Sequence, residues 1–428
     1  MNRVRVGIAG FGTVGRATAA IISAHAELIA QRSGVRLEVT SVCRRSGVKP
    51  EDIPVGAQAV SDWNQLVSAS DVDVIVETMG GTDEARQLVL ASLKQGKPVV
   101  TANKNLVAAH GDELFAVAAS LNLPIGFEAS VAGGIPILRV IHESTAGDRL
   151  RAVHGILNGT SNYILTQMES RGIEFDVALR EAQEAGYAEA DPSFDIDGLD
   201  ARDKLCILAR MAFGGRLRVS MIPTYGIRQV RAIDVHSANR LDSTIRLVGS
   251  AENTQSGIEI SLRPWMVSRR SMLAKVEGVN NAVFLVGDKI GMQMFYGRGA
   301  GGDATGAAVV SDLIEIARDL AAGQISAKKI SGFLDSPDLA ICQSPQPVSW
   351  YLRLTVKDQR GIVARVAEVI AQHDINIDSL EQQPHLPKDR VSFVITVEPV
   401  SEPTIRRAVD AINAFEFMVE PVLLLRIG

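Results

Sequence analysis

Residues 4–24, VRVGIAGFGTVGRATAAIISA, decide how the first part of the chain folds. Residues 4–9 are a short apolar run rich in β-branched side chains, and a helical pattern, RATAAIISAHAELIA, begins after Gly15. Between them stand Gly10, Gly12 and Gly15, spaced G-x-G-x-x-G. In that order the first glycine permits a tight turn, the second lets backbone approach a pyrophosphate, and the third lets the helix pack closely on its strand. The helix N-terminus then offers unpaired N–H groups to the phosphates. Glycine-rich turns serve many structural purposes, so the strand before and the helix after give this one its weight.

Working outward, strand-like runs are expected at 35–43, 72–79, 98–102 and 124–128, with helices at 83–95 and 105–121 between them. Strands alternating with helices at this pitch imply a parallel, doubly wound sheet, so the fold class is α/β with a Rossmann-type domain over about 1–130. A second glycine-rich turn, GRGAGGDATGAAVVSD, opens a helix that Asp303 or Thr305 can cap, and 299–322 can return to complete the first domain. A structural turn explains these glycines as well as a cofactor contact does. At the end of the second strand, where an acid would bind the ribose hydroxyl of NAD, the chain reads CRRSG. Arg44 and Arg45 suit a 2′-phosphate, which favours NADP(H) over NAD(H), although two arginines there also suit a solvated turn. The candidate cofactor contacts are Gly10, Phe11, Gly12, Thr13, Val14, Gly15, Arg44, Arg45, Thr101, Lys104, Gly301 and Thr305.

The 428 residues call for two or three domains, and the net charge of −5 argues against a nucleic-acid partner held by a basic face. Three widely spaced cysteines, Cys43, Cys206 and Cys342, fit neither a disulfide framework nor a zinc motif. With no signal-peptide pattern and no apolar stretch long enough to cross a bilayer, a cytoplasmic protein without a membrane partner is expected.

After residue 130 the alternation stops. Strand-like runs at 244–249, 257–262, 282–286 and 290–296 suggest a mainly antiparallel sheet with helices on one face, an α+β catalytic and dimerisation domain over 131–298. Residues 323–348, with Pro337, Pro345 and Pro347, suit a linker, and 349–428 read strand, helix, strand, strand, helix, strand. That order is a split βαβ, ferredoxin-like unit.

Seven carboxylates and one lysine crowd EAGYAEADPSFDIDGLDARDKL, residues 184–205. A solvated acidic loop is the ordinary explanation. Asp200 and Lys204, however, are four apart on a helix and share a face. As a surface pair they would contribute only about 0.3–0.5 kcal/mol. Joined by Tyr187, Glu189 and Asp195, they can bind a substrate ammonium and leave an amine for proton transfer.

GFGTVG, VTANK, NGTSNYIL, AGYAEADPSFDIDGLDARDKL and GAGGDATGAAVVSD, in that order, make the chain resemble homoserine dehydrogenases that carry a C-terminal ACT domain. The resemblance covers nearly the whole length and implies reversible reduction of L-aspartate 4-semialdehyde to L-homoserine with NAD(P)H. It implies Lys204 as proton donor or acceptor beside Asp200, and Lys104 as the group that holds and polarises substrate. Glu189 and Asp195 would bind the amino-acid end, assisted by Tyr187, Gly159 and Thr160. It also implies a Na+ or K+ site of backbone carbonyls involving Glu128, Val131, Gly133 and Ile135. VKDQRGIVARVAEVI resembles the opening of ACT domains, in which the turn at 358–361 borders a bound amino acid; feedback by L-threonine follows as an expectation, with simple dimerisation as the other use of such a module. A homodimer or tetramer is expected. Two rivals remain at this level: a thiol-dependent dehydrogenase of a phosphorylated semialdehyde, for which NGT offers no cysteine, and a non-catalytic nucleotide-binding sensor, which would need no trio of Lys104, Asp200 and Lys204.

Overall fold

The computed structural model describes residues 2–334, 336–382 and 388–428. Six strands come first: β1 (Asn2–Ala9), β2 (Val35–Cys43), β3 (Gln58–Val60), β4 (Val74–Glu77), β5 (Val99–Thr101) and β6 (Ile125–Gly126). They form one parallel sheet in the order β3-β2-β1-β4-β5-β6, the dinucleotide-binding order. The sheet is buried because helices cover it, and its strands accordingly read as nearly continuous Val and Ile runs. The three-residue β3 escapes sequence reading, since Gln58 and Ala59 are exposed and carry no alternating pattern.

At the end of β1, Gly10 has φ 95°, and a Cβ there would lie 2.4 Å from the Thr78 backbone. Only glycine passes that crossing. The helix Thr13–Ala24 follows with Gly12 as N-cap and no side chain capping it, so its first N–H groups stay open.

The next strands are β7 (Leu150–Ile156), β8 (Ser243–Thr254), β9 (Gly257–Ser268), β10 (Asn280–Gly287) and β11 (Gly291–Arg298). The sequence expectation of antiparallel pairing holds, with β8 on β9 and β10 on both β11 and β7. The chain divides into two compact units. One comprises Met1–Leu157, Asp200–Ile222 and Asn280–Leu339; the other comprises Asn158–Leu199, Pro223–Val279 and Ala340–Gly428.

In the first unit the helix Gly302–Ala322 packs along the helix Thr13–Ala24 and adds Val309, Leu313 and Ile316 to the core around β1 and β2. A Cβ on Gly306 would lie 3.0 Å from the Thr18 nitrogen, so glycine here serves a close helix crossing. Asp303 and Thr305 do not cap this helix: its N-cap is Gly301, without a side-chain cap bond, and Thr305 is buried. Residues after it pack Phe333 against Phe115 and Phe127.

The second unit ends in β12 (Val348–Val356), β13 (Ile377–Gln382), β14 (Val391–Val400) and β15 (Met418–Ile427). Their order β15-β12-β14-β13, with the helices Ile362–Gln372 and Glu402–Asn413, is the expected ferredoxin-like arrangement. The apolar stripes of both helices supply Val366, Ile370, Ile405 and Ile412 to one core with Leu352, Leu354 and Ile395. At its other edge β15 pairs in parallel with β9 through Arg426 and Ile427.

Candidate active site

Buried polar groups at the ends of β4 and β5 set the first part of the site. Glu77 is fully buried, which raises its pKa, and it accepts from the Thr101 hydroxyl at 2.5 Å and the Met79 N–H at 2.8 Å. The Thr101 oxygen takes the Asn103 N–H at 3.0 Å, and Asn103 caps the next helix at Leu106 N, 3.1 Å away. Lys104 is therefore the first residue of a helix whose start is fixed by a side-chain chain of bonds. Sequence reasoning missed Glu77 and Asn103. The signal was an acid closing the apolar run VIVE, since a buried carboxylate must find donors. Thr101 is fully buried, and its hydroxyl ties the end of β5 to the end of β4 through Glu77.

The helix Leu199–Phe213 brings Asp200 and Lys204 together as their spacing predicts. Lys204 Nζ donates to Asp200 Oδ2 at 2.7 Å and to the Leu157 carbonyl at 2.9 Å. Lys104 Nζ lies 3.1 Å from Asp200 Oδ1. One carboxylate thus sits between two ammonium groups, and the Asp200 and Lys204 side chains are only 8% and 10% exposed. That removes the pair from the class of solvated surface bridges: charges this buried persist only when paired and hydrogen-bonded.

The acidic loop belongs to the second unit. Asn158 caps the helix Gly159–Arg171, accepting from Ser161 N at 2.8 Å, and donates to Asp195 Oδ1 at 2.7 Å. Thr160 donates to the Tyr187 carbonyl at 2.7 Å, and the Tyr163 and Tyr187 rings lie 4.8 Å apart. Tyr187 and Glu189 are exposed. The loop's backbone is tied down while these two side chains face solvent.

The fingerprint glycines Gly10 and Gly12 line a cleft of about 840 Å³ together with Phe11, Arg44, Arg45, Trp63 and Thr78. Its size, open helix N-terminus and guanidinium groups fit a dinucleotide. Arg45 is paired with Glu84, whose other oxygen accepts from the Trp63 indole at 3.2 Å. In the same unit Glu128 is buried, which with the nearby Asp312 carboxylate pushes its pKa up to about 7; burial takes Asp312 up to about 6. Glu128 accepts from the N–H groups of Leu138 and Arg139 at 2.9 and 2.8 Å. Val131, Gly133 and Ile135 lie in the adjoining turn, where Ala132 and Gly133 take φ of 57° and 52°. The Glu128 and Ile135 carbonyls accept from Val131 N and Ile137 N at 3.3 and 2.8 Å, and each keeps a second lone pair. Among the described residues no cluster of His, Cys, Asp or Glu could hold a metal. Burial pushes the thiols of Cys43 and Cys206 up to about 11 and about 12, which leaves neither activated as a nucleophile. No helix among the described residues is long and apolar enough to cross a membrane.

A parallel sheet in this order with a glycine turn opening onto a dinucleotide-sized cleft defines a dinucleotide-dependent oxidoreductase scaffold, here with an added βαββαβ module. Residues 10–128 match the family described as homoserine dehydrogenase, NAD binding domain, residues 136–314 match homoserine dehydrogenase, and residues 350–417 match the ACT domain. Homoserine dehydrogenases of Neisseria gonorrhoeae and Pseudomonas aeruginosa are each 38% identical to it, over 100% of this chain and 99% of theirs. The crystal structure of a homoserine dehydrogenase from Thiobacillus denitrificans superposes with a TM-score of 0.90 at 35% identity, covering 100% of this chain and 99% of that one. A hyperthermophilic archaeal homoserine dehydrogenase in complex with NADPH is 31% identical, with a TM-score of 0.60, over 73% of this chain and 97% of its own. The chain belongs to the homoserine dehydrogenase family.

Proposed function

We propose that the chain interconverts L-aspartate 4-semialdehyde and L-homoserine, with Lys204 exchanging the proton at the reacting oxygen. The observation that carries this is the buried Lys204 ammonium, two of whose three N–H donors are taken by Asp200 and the Leu157 carbonyl. Among the described residues the third has no acceptor and can meet a ligand oxygen, and a fixed positive charge there stabilises the oxygen as it becomes an alkoxide. Lys104, on the other side of Asp200, adds a second positive group that holds and polarises substrate. A bound nicotinamide dinucleotide supplies or accepts the hydride, and Gly10, Gly12 and the open N-terminus of the helix Thr13–Ala24 would hold its phosphates. Glu189 and Asp195 offer carboxylates to the substrate ammonium, with Tyr187, Gly159 and Thr160 shaping that end.

Arg44 and Arg45 on the cleft favour NADP(H). The carbonyls of Glu128, Val131, Gly133 and Ile135 offer a place for Na+ or K+, and the ACT module makes L-threonine the feedback ligand of a cytoplasmic homodimer or tetramer. The deciding experiment mixes the protein with L-homoserine and NADP+ and follows the absorbance of reduced nicotinamide. Steady reduction that requires homoserine supports the reading; none with either NADP+ or NAD+ ends it.

A further inference from the structure

The second unit encloses a cavity of about 100 Å³ between β9, the segment 341–348, the start of β12 and the helix Glu402–Asn413. One water needs about 10–15 Å³ on this scale, so the space suits a ligand of roughly eight heavy atoms. Its charged lining is Arg263, Arg426, Glu259 and Glu402. Arg263 is only 4% exposed and holds Glu402 at 2.8 Å. Arg426 stands 3.5 Å from Glu259 and 3.9 Å from Glu252, short of good hydrogen bonds. Among the described residues the Nε–H of each arginine has no acceptor. A self-contained ion network would close on itself, because each buried donor left unpaired costs about 1–3 kcal/mol.

The sign pattern narrows the occupant. A lone anion would meet Glu259 and Glu402 in the same small space, and a lone cation would meet two guanidinium groups. A zwitterion satisfies both, with its carboxylate on the arginines and its ammonium on Glu259. We infer that this cavity binds a small α-amino acid, linking the β8–β9 hairpin to the ACT module. The inference rests on reading that module as an amino-acid sensor, and it places the ligand away from the turn at 358–361.

Cys342 lines the cavity and is partly exposed, whereas Cys43 and Cys206 are buried. Alkylation of Cys342 by iodoacetamide therefore reports occupancy without any substitution. In the full-length protein, L-threonine or another amino acid of similar size should bind saturably in equilibrium dialysis and slow that alkylation at least tenfold, while L-phenylalanine, acetate and ethylamine do neither. Ser261→Leu, which fills the cavity from β9, should weaken binding at least tenfold. Binding that leaves the Cys342 rate unchanged and survives Ser261→Leu, but is lost in Gly361→Val, overturns the cavity and leaves the sensor reading standing. If no small amino acid binds or inhibits, both fall.

Discussion

In the first unit Asp200 and Lys204 are buried and bonded to each other, whereas in the second unit Tyr187 and Glu189 stand exposed on a loop whose backbone is tied by Thr160 and Gln183. The proposed roles differ in the same way. A group that exchanges a proton as a bond forms must already be in place, because misplacement directly raises the barrier. A group that only grips the far end of a substrate can be ordered by the substrate itself. The same span of sequence, 184–205, supplies both kinds of group, and burial distinguishes them.

Lys204→Ala should give the largest effect, lowering kcat about 10³-fold or more in both directions. Turnover near that of the parent in a stopped assay would break the comparison at its root. A second test of buried against exposed acid is pH-dependent stability at Glu128. Its folded pKa of about 7 lies above its ordinary value of 4.5. The folded state therefore binds more protons between those values, and this group's contribution to stability declines as pH rises from about 4.5 to 7. Removing the titration in Glu128→Gln should flatten the decline, so that the variant gains about 2 kcal/mol on the wild type between pH 5 and pH 8 in thermal unfolding, after discounting for coupling to Asp312. Parallel curves would show that burial there does not act as described.

For the exposed side, Glu189→Gln should raise KM for homoserine about tenfold, change kcat less than about threefold and leave Tm unaltered. A matching fall in kcat would place Glu189 with the buried group. The smallest effect is expected at Glu84, a partly exposed partner of Arg45. Glu84→Gln frees that guanidinium and should lower KM for NADP+ relative to NAD+ by a few fold, the scale of a surface ion pair. No change in that ratio would take Arg45 out of the argument.

Much of this was readable from residue patterns. Gly10, Gly12 and Gly15 announced the first sheet, and the Asp200–Lys204 spacing announced the pair, since turns and helix faces are local. What stayed hidden was non-local. Glu77 meets Thr101 only because β4 and β5 lie side by side, and Lys204 meets the Leu157 carbonyl across 47 positions of chain. Arg45 looked free for a phosphate until Glu84 arrived from another helix. A local rule misled in one place: Asp303 and Thr305 have the right chemistry for a cap, yet the helix begins at glycine, where it crosses the helix Thr13–Ala24 closely.

The interleaving of the two units has a consequence for synthesis. Neither is a continuous stretch of polypeptide: the first is interrupted at Leu157 and Ile222 and is completed only by Asn280–Leu339. When β6 leaves the ribosome, the Val309, Leu313 and Ile316 side chains that close the first core have not yet been translated. The nascent sheet must wait with one face uncovered, an interval in which a chaperone has the most to protect.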